Sequence, residues 1–458
     1  MIQQKKHVII LGAGIAGLTA GWRLCQAGMQ VTILEKDAIV GGLSKTVSYK
    51  KFLFDYSAHR FNSNNREVVS RFKKMVGSHL VRRKKITYIR HWGKFLQYPP
   101  RVIELVQAMP KLLLIQASLE FFVTFLVNLV YSAPKKSFAD WTRGYFGKTL
   151  SYNLNEKYAE KIWKRPADQL SSDWASTRVG SFKLKDFLLA ALFPSHYKKV
   201  YSGSDPDTDF FYYCDNGIGY FPKQMAKEIE RLKGVVMTNT TVTKLERVNG
   251  QYLVSYTSSE GEKKVVGDIV ISSIPLPFLC KLFIRNIPEE IAKAVAGLKY
   301  LNVLVVNILL NRKKVNDASW VYFPDKNIVF NYLVEFRNWS KKMSPFGKTS
   351  LSANITCMEG DETWKKNDEE LIKRVIDDMI KIGQIERKDF KGGFISRVPF
   401  AYPIYDLEYR KKLVKIKEHF MSIKDFYIVG RTGAFNYSNA DKVMEEALEL
   451  SKKIIGNI

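Results

Sequence analysis

Short runs of consecutive apolar residues recur along this chain, each closed by glycine, proline or a polar turn, and stretches of helical period lie between them. Residues 7–11 (HVIIL) are the first such run and predict a strand buried on both faces, as in a parallel sheet. The turn Gly12-Ala13-Gly14-Ile15-Ala16-Gly17 follows, residues 18–27 have the period of a helix, Gly28 ends it, and residues 30–34 predict a second strand. An extended piece spans 52–61. Residues 65–200 read as mostly helical, with Pro99-Pro100, Pro110 and Pro134 as breaks. Strands return at 234–237, 241–247, 251–257 and 264–272, with turns at Asn249-Gly250 and Glu260-Gly261. Further strands are expected at 301–310 and 328–334, a helix at 368–381, a strand at 425–430 and a last helix from Asp441.

This order predicts an α/β protein. A Rossmann-like dinucleotide domain is expected from three separated segments, 1–75, 215–285 and 395–458. The intervening stretches, 76–214 and 286–394, are expected to form an inserted α+β substrate domain, with 76–214 as its helical cap. A ligand would then lie between the two.

The glycine turn carries the chemistry. Gly12 permits the tight turn, Gly14 lets a pyrophosphate approach the backbone, and Gly17 lets helix and strand pack closely, while the helix N-terminus offers free N–H groups to the anion. Glu35 ends the second strand 18 residues past Gly17, placed to accept hydrogen bonds from a ribose diol, with Lys36 beside it. Six residues on, Gly41-Gly42-Leu43-Ser44 supplies a second glycine pair for a phosphate or ribityl chain. A nicotinamide nucleotide has no need of that extension, so FAD is the expected cofactor.

Composition adds one unusual feature. The 458 residues include 72 basic and 45 acidic ones, a formal net charge of +27, which favours anionic partners: an acidic membrane surface or a phosphorylated small molecule. A nucleic-acid partner is not expected, because the basic residues are scattered and no nucleic-acid motif appears. Cys25, Cys214, Cys280 and Cys357 stand far apart, so neither a disulfide framework nor a metal site is expected, and a reducing cytoplasm fits. A cleavable leader is not expected, because the first predicted strand begins at His7.

One apolar run, 112–133 (LLLIQASLEFFVTFLVNLVYSA), is nearly long enough to span a bilayer, with Lys111 before it and Lys135-Lys136 after. Glu120 near its middle would be costly in a single span. A buried cap helix and an interfacial helix that makes the protein peripheral to the inner face of a membrane are the other readings.

Several stretches together resemble bacterial FAD-dependent oxidoreductases of the flavin amine oxidase and protoporphyrinogen oxidase-like superfamily, to which UDP-galactopyranose mutase is related. They are the N-terminal glycine motif, Ser57-Ala58-His59-Arg60-Phe61, the segment from Phe146-Gly147 to Arg178, which contains KYAEKIWKRPADQLSSDWASTR, Asp215-Asn216-Gly217-Ile218-Gly219, Val398 to Pro403, and Val429-Gly430-Arg431 on to Asp441-Lys442-Val443. The resemblance implies that Gly430 and Arg431 meet the flavin, with Arg60 counted among the cofactor contacts. It implies that the helix opened by Ala440, Asp441 and Val443 aims its positive end at the ring. It places Val242 against adenine and His59 near the isoalloxazine. FAD held non-covalently is implied, because no cysteine lies in the C-terminal motif.

The mutase pattern has an arginine where Gly217 stands here. Substrate contacts are expected among Arg60, Arg178, Arg337 and Arg397, with Arg397 foremost, because arginine forks suit phosphate or carboxylate. Tyr402 and Tyr405 are expected to wall the pocket, and His59, Arg397 and Tyr402 to serve the reaction. The expected activity is hydride transfer to flavin N5 from an apolar, lipid-linked or phosphorylated substrate, of oxidase or desaturase type. The alternatives are a non-redox sugar isomerase that uses reduced FAD, and a non-catalytic flavin-binding partner.

Overall fold

The computed structural model describes residues 5–131, 135–174, 209–283 and 287–456. It has a mixed α/β architecture. Five parallel strands form one sheet in the order Phe426–Ile428, Ile269–Ser272, His7–Leu11, Gln30–Leu34, Val235–Met237. Their order in space differs from their order in the chain because segments more than 200 residues apart supply neighbours. The helices Ile15–Gln26, Tyr220–Arg231 and Ala440–Gly456 pack together over one face. An antiparallel meander, Thr241–Val248, Gln251–Ser258 and Gly261–Gly267, joins the other side. With both faces covered, Val8, Ile9, Ile10 and Leu11 are all fully buried, which is why this strand reads as an unbroken apolar run.

A second sheet of seven strands runs Phe390–Pro403, Tyr300–Leu310, Thr349–Cys357, Tyr332–Val334, Trp320–Tyr322, Thr87–His91, Lys94–Gln97. All pairs are antiparallel except Trp320–Tyr322 with Thr87–His91. Every residue of its two central strands, Tyr300–Leu310 and Thr349–Cys357, is buried. The helix Asp368–Lys381 covers one face through Leu371, Val375 and Met379, packed on Leu304, Val306 and Ile308. The other face carries Val303 and Val305.

The stretch from 76 onward, expected to be helical, opens with strands instead. Leu80–Lys84 pairs with Phe210–Cys214, and Thr87–His91 turns through Trp92-Gly93, both at positive φ, into Lys94–Gln97. Thr87, Ile89 and His91 are buried while Tyr88 and Arg90 are half-buried, so the period is two. The expected boundary at 395 falls inside the strand Phe390–Pro403, because that strand pairs with Tyr300–Leu310 along its length. The expected strand 264–272 is two strands, split at Asp268, that serve different sheets. Thr349–Cys357, interrupted by serine, asparagine and threonine, carried too weak an apolar signal to be read as a strand.

The apolar run 112–133 forms the helix Lys111–Val130, and it is not a buried cap helix: Ala117 is its one buried residue. It packs along one side on Phe138–Ser151, whose Phe138, Ala139 and Trp141 are anchored with Trp163, Leu301 and Ile404. The segment around 157–163, so distinctive in the sequence, is scaffold. Lys161 donates from Nζ to the carbonyls of Phe323 (2.6 Å), Asp325 (2.9 Å) and Phe330 (2.7 Å), and buried Glu156 accepts two bonds from Arg143.

Candidate flavin site

A cavity of about 400 Å³ opens where the carboxyl ends of the parallel strands face the strand Phe390–Pro403. Its first wall is made of backbone. Gly12 sits at φ +96°, and a Cβ there would stand 2.7 Å from Ser273 Oγ. The two glycine segments are tied together, because Gly41 N donates to Ala13 O at 2.7 Å and Gly14 bridges Gly41. A Cβ on Gly42 would lie 3.1 Å from Gly14 Cα, so this approach requires glycine. The helix Ile15–Gln26 begins at Gly14 with no side-chain cap, which leaves its first N–H groups for a ligand.

Glu35 is buried, and the backbone holds it: Oε2 accepts from Ala13 N at 2.7 Å and Oε1 from Asp37 N at 3.0 Å. Ile15, Ala16, Lys36, Leu43, Ser44 and Val242 line this wall with it. Lys36 places its ammonium over the Phe278 ring. Sequence reasoning missed Thr240, Thr241, Phe278 and Lys281, which line the end nearest Glu35, and Lys45, which is buried and ion-paired with Asp37. Thr240 and Thr241 fall where the turn between two strands meets the second, and Phe278 and Lys281 on a short helix after a strand, with no local pattern to mark them.

The opposite wall is made of side chains. Gly430, Arg431, Ala440 and Val443 line it, so the first turn of the helix Ala440–Gly456 faces the cavity. The Arg431 guanidinium caps the adjoining rings of Tyr402 and Tyr437, 4.7 and 4.6 Å from their centroids. Its Nε and Nη2 are buried and have no hydrogen-bond partner among the described residues. His59 stands beside it with Nδ1 likewise unpartnered. Burial first, and the Arg431 charge second, push the His59 imidazole down to about 4, so it is neutral near pH 7.

A recess of about 10 Å³ adjoins the cavity and is lined by Leu43, Tyr56, Ser57, Val303, Val398 and Tyr402 among others. Behind it, Ser57 Oγ and Tyr332 Oη lie 2.6 Å apart and both bond Asn354 Oδ1, while Asn354 Nδ2 is buried without a partner. At Pro399-Phe400 the strand bulges into the cavity, with Phe400 at φ +55°.

Other expected residues stand elsewhere. Arg397 is corrected by strand alternation: Val398 faces the cavity, so Arg397 faces away and pairs with Asp368 at 2.5 Å. Arg60 lies over the Trp320 ring and Arg337 donates to Pro345 O; neither lines the cavity. Gly17 and Asp441 do not line it either. Gly17 packs under Gly12, and Asp441 is buried at its helix start, where burial raises its carboxyl above the usual range. Tyr405 stacks on Tyr409 and accepts from Tyr437 N, so it supports a wall rather than forming one. Arg178 lies outside the described residues.

Two joined glycine segments, a backbone-held acid and an open helix start fit a dinucleotide. The model of flavin-containing amine oxidoreductases matches residues 15–447. The chain belongs to that family. It is an FAD-dependent enzyme, and none of its four cysteines lines the cavity. By sequence, family relatives include a 4,4'-diapophytoene desaturase from Methylomonas, 46% identical over 50 residues, which are 11% of this chain. The match spans about a tenth (10%) of that relative's length. Among solved structures, reduced UDP-galactopyranose mutase aligns with a TM-score of 0.83 at 19% identity, covering 99% of this chain and 94% of the other. A putative protoporphyrinogen oxidase from Exiguobacterium aligns at 0.75 and 16% identity, covering 99% of each chain. These structures share the family fold.

Proposed function

We propose that the body around the parallel sheet holds FAD and that the seven-stranded sheet with its helices holds the substrate, which is oxidised over the flavin. When bound, FAD supplies the acceptor for a hydride from a substrate C–H bond. The chain binds, orients and keeps water out. Leu43 and Val398, which line both the cavity and the small recess beside it, give this end of the cavity apolar surface, which suits an apolar reacting part. Neutral His59 offers a ring nitrogen for hydrogen bonding, and its lowered basicity keeps it uncharged beside Arg431.

The observation that carries this reading is Arg431. A buried guanidinium with two unpartnered nitrogens, set against the Tyr402 and Tyr437 rings, suits a carboxylate or phosphate. The substrate class is therefore an apolar molecule with an anionic group, lipid-linked or phosphorylated.

The TM-score of 0.83 favours a second reading, a non-redox sugar isomerase on reduced flavin. Gly217 weighs against it. At φ +89°, a Cβ there would stand 2.4 Å from the Thr46 side chain, so this turn has no room for the arginine of the mutase pattern.

Anaerobic flavin spectroscopy with polyprenyl phosphates, porphyrinogens and nucleotide sugars separates the two. Bleaching by an anionic apolar substrate is the expected result. Isomer formation on pre-reduced flavin, with no net electron transfer, would replace the redox reading by the mutase one.

A further inference from the structure

The helix Lys111–Val130 is apolar on both sides: Leu113, Leu114, Ala117, Phe121 and Phe125 are buried or half-buried, and a second set of apolar residues is exposed. Gln116, Glu120, Thr124 and Asn128, spaced by four, share one side, and that side meets Phe138–Ser151. Glu120 accepts from Thr149 N (2.6 Å), Thr149 Oγ1 (2.8 Å) and Gln116 Nε2 (2.9 Å), and Asn128 Nδ2 donates to Gly144 O at 2.7 Å. Thr124 Oγ1 is satisfied by Glu120 O within the helix. A Cβ on Gly147 would lie 3.1 Å from the Glu120 backbone, so the two helices touch closely there. Glu120 and Asn128 bond the neighbouring helix, and the outward side carries Leu112, Ile115, Leu119, Phe122, Val123 and Leu126. Leu112 is 84% exposed and Leu119 64%. Ile103 and Val106 of the preceding helix, Val102–Ala108, are exposed as well.

We propose that this outward side docks on an anionic lipid bilayer, with the helix lying along the headgroup plane. Twenty residues make an apolar ridge of about 30 Å. Such a ridge on a monomer is far from the scattered exposed leucines of ordinary surfaces. Its ends say what covers it. Lys111 opens the helix, where the dipole disfavours a cation and no acidic residue lies in the first turn, so its charge does not serve the helix. Exposed Lys136 follows the other end and exposed Lys148 lies on the packed partner helix, whereas Lys135 is half-buried with its ammonium over the Tyr145 ring. Cations beside an apolar ridge, on a chain of net charge +27, match anionic headgroups over acyl chains.

The helix does not cross the bilayer. Crossing would strip Glu120 and Asn128 from partners on a helix anchored in the protein core.

Flotation of the full FAD-loaded chain tests this without reference to the reaction. Vesicles of phosphatidylcholine with an equal part of phosphatidylglycerol are expected to float the protein, and phosphatidylcholine alone about tenfold less. The double variant Leu119→Glu, Phe122→Glu is expected to stay in the lower fraction with its flavin spectrum unchanged, and high salt to release the wild type in part. Three outcomes would overturn the proposal: no flotation of the wild type, equal flotation of the variant, or a detergent-free dimer that the variant splits into monomers. The last would mean that a second copy covers the ridge.

Discussion

One wall of the flavin cavity is backbone and the other is side chain. Gly12, Gly41 and Gly42 line the first at positive φ with almost no room for a Cβ, and Gly14 opens the uncapped helix, whereas Arg431, His59 and Tyr402 present specific groups from separate segments. The first wall suits a part of the ligand common to many proteins, the pyrophosphate. The second suits what is particular to one reaction. A backbone wall fails when anything is added, and a side-chain wall fails when something is taken away.

The largest effect is therefore expected from the smallest addition. A Cβ on Gly17 would stand 2.1 Å from Gly12 O, a backbone atom that cannot swing aside. Gly17→Ala is expected to lose more than about 4 kcal/mol of stability and to purify without FAD. The ratio of flavin to protein absorbance and the thermal midpoint check it. A yellow variant with an unchanged midpoint would break the contrast between the walls.

The glycine wall also rests on a titratable group. Behind it the hairpin Thr46–Tyr49 and Phe52–Asp55 is latched by Asp55, which accepts from Thr46 Oγ1 (2.6 Å), Tyr213 Oη (2.5 Å) and Ile218 N (3.3 Å). Burial outweighs these bonds and pushes the carboxyl from 3.8 up to about 7. Between those values the folded chain keeps a proton that the unfolded chain has lost. The stability this contributes is full below 3.8, declines as pH rises, and is gone above about 7. About three pH units correspond to about 4 kcal/mol. In Asp55→Asn that slope should vanish, as read from thermal midpoints across the pH range. An unchanged slope would assign it to other groups.

The same division explains what the sequence could tell. Residues 12–17, Glu35 and 41–44 are local, so one glance along the chain finds the backbone wall, and the parallel strands beside it announce themselves by unbroken apolar runs. The other wall draws on Ser57, Val303, Tyr332, Asn354, Tyr402 and Arg431, and no local pattern links them. Alternation in Phe390–Pro403 says that Arg397 and Val398 face opposite ways, but only the neighbouring sheet says which way is in. The helix Lys111–Val130 repeats the lesson: its composition is plain, and its direction of burial depends on Thr149 and Gly144, which lie further along the chain.

Two arginines sharpen this to its finest point. Arg431 gives up no ion pair or hydrogen bond among the described residues when it is cut back, and the Met side chain keeps apolar contact with the Tyr402 and Tyr437 rings, so Arg431→Met should cost about 1 kcal/mol, the loss of its cation–π contacts. If its free nitrogens serve ligand, the variant should reduce its flavin about 100-fold more slowly with the substrate identified by bleaching. Arg397 is the reverse case. It spends its guanidinium on Asp368 and Lys366 O at a partly exposed site, so Arg397→Ala should cost less than about 1 kcal/mol and leave reduction within about twofold. Stopped-flow reduction of both variants measures the difference. If Arg397→Ala proves the slower, the bulged strand transmits more to the cavity than its side chains do, and the recess must be ascribed to the backbone of residues 398–401.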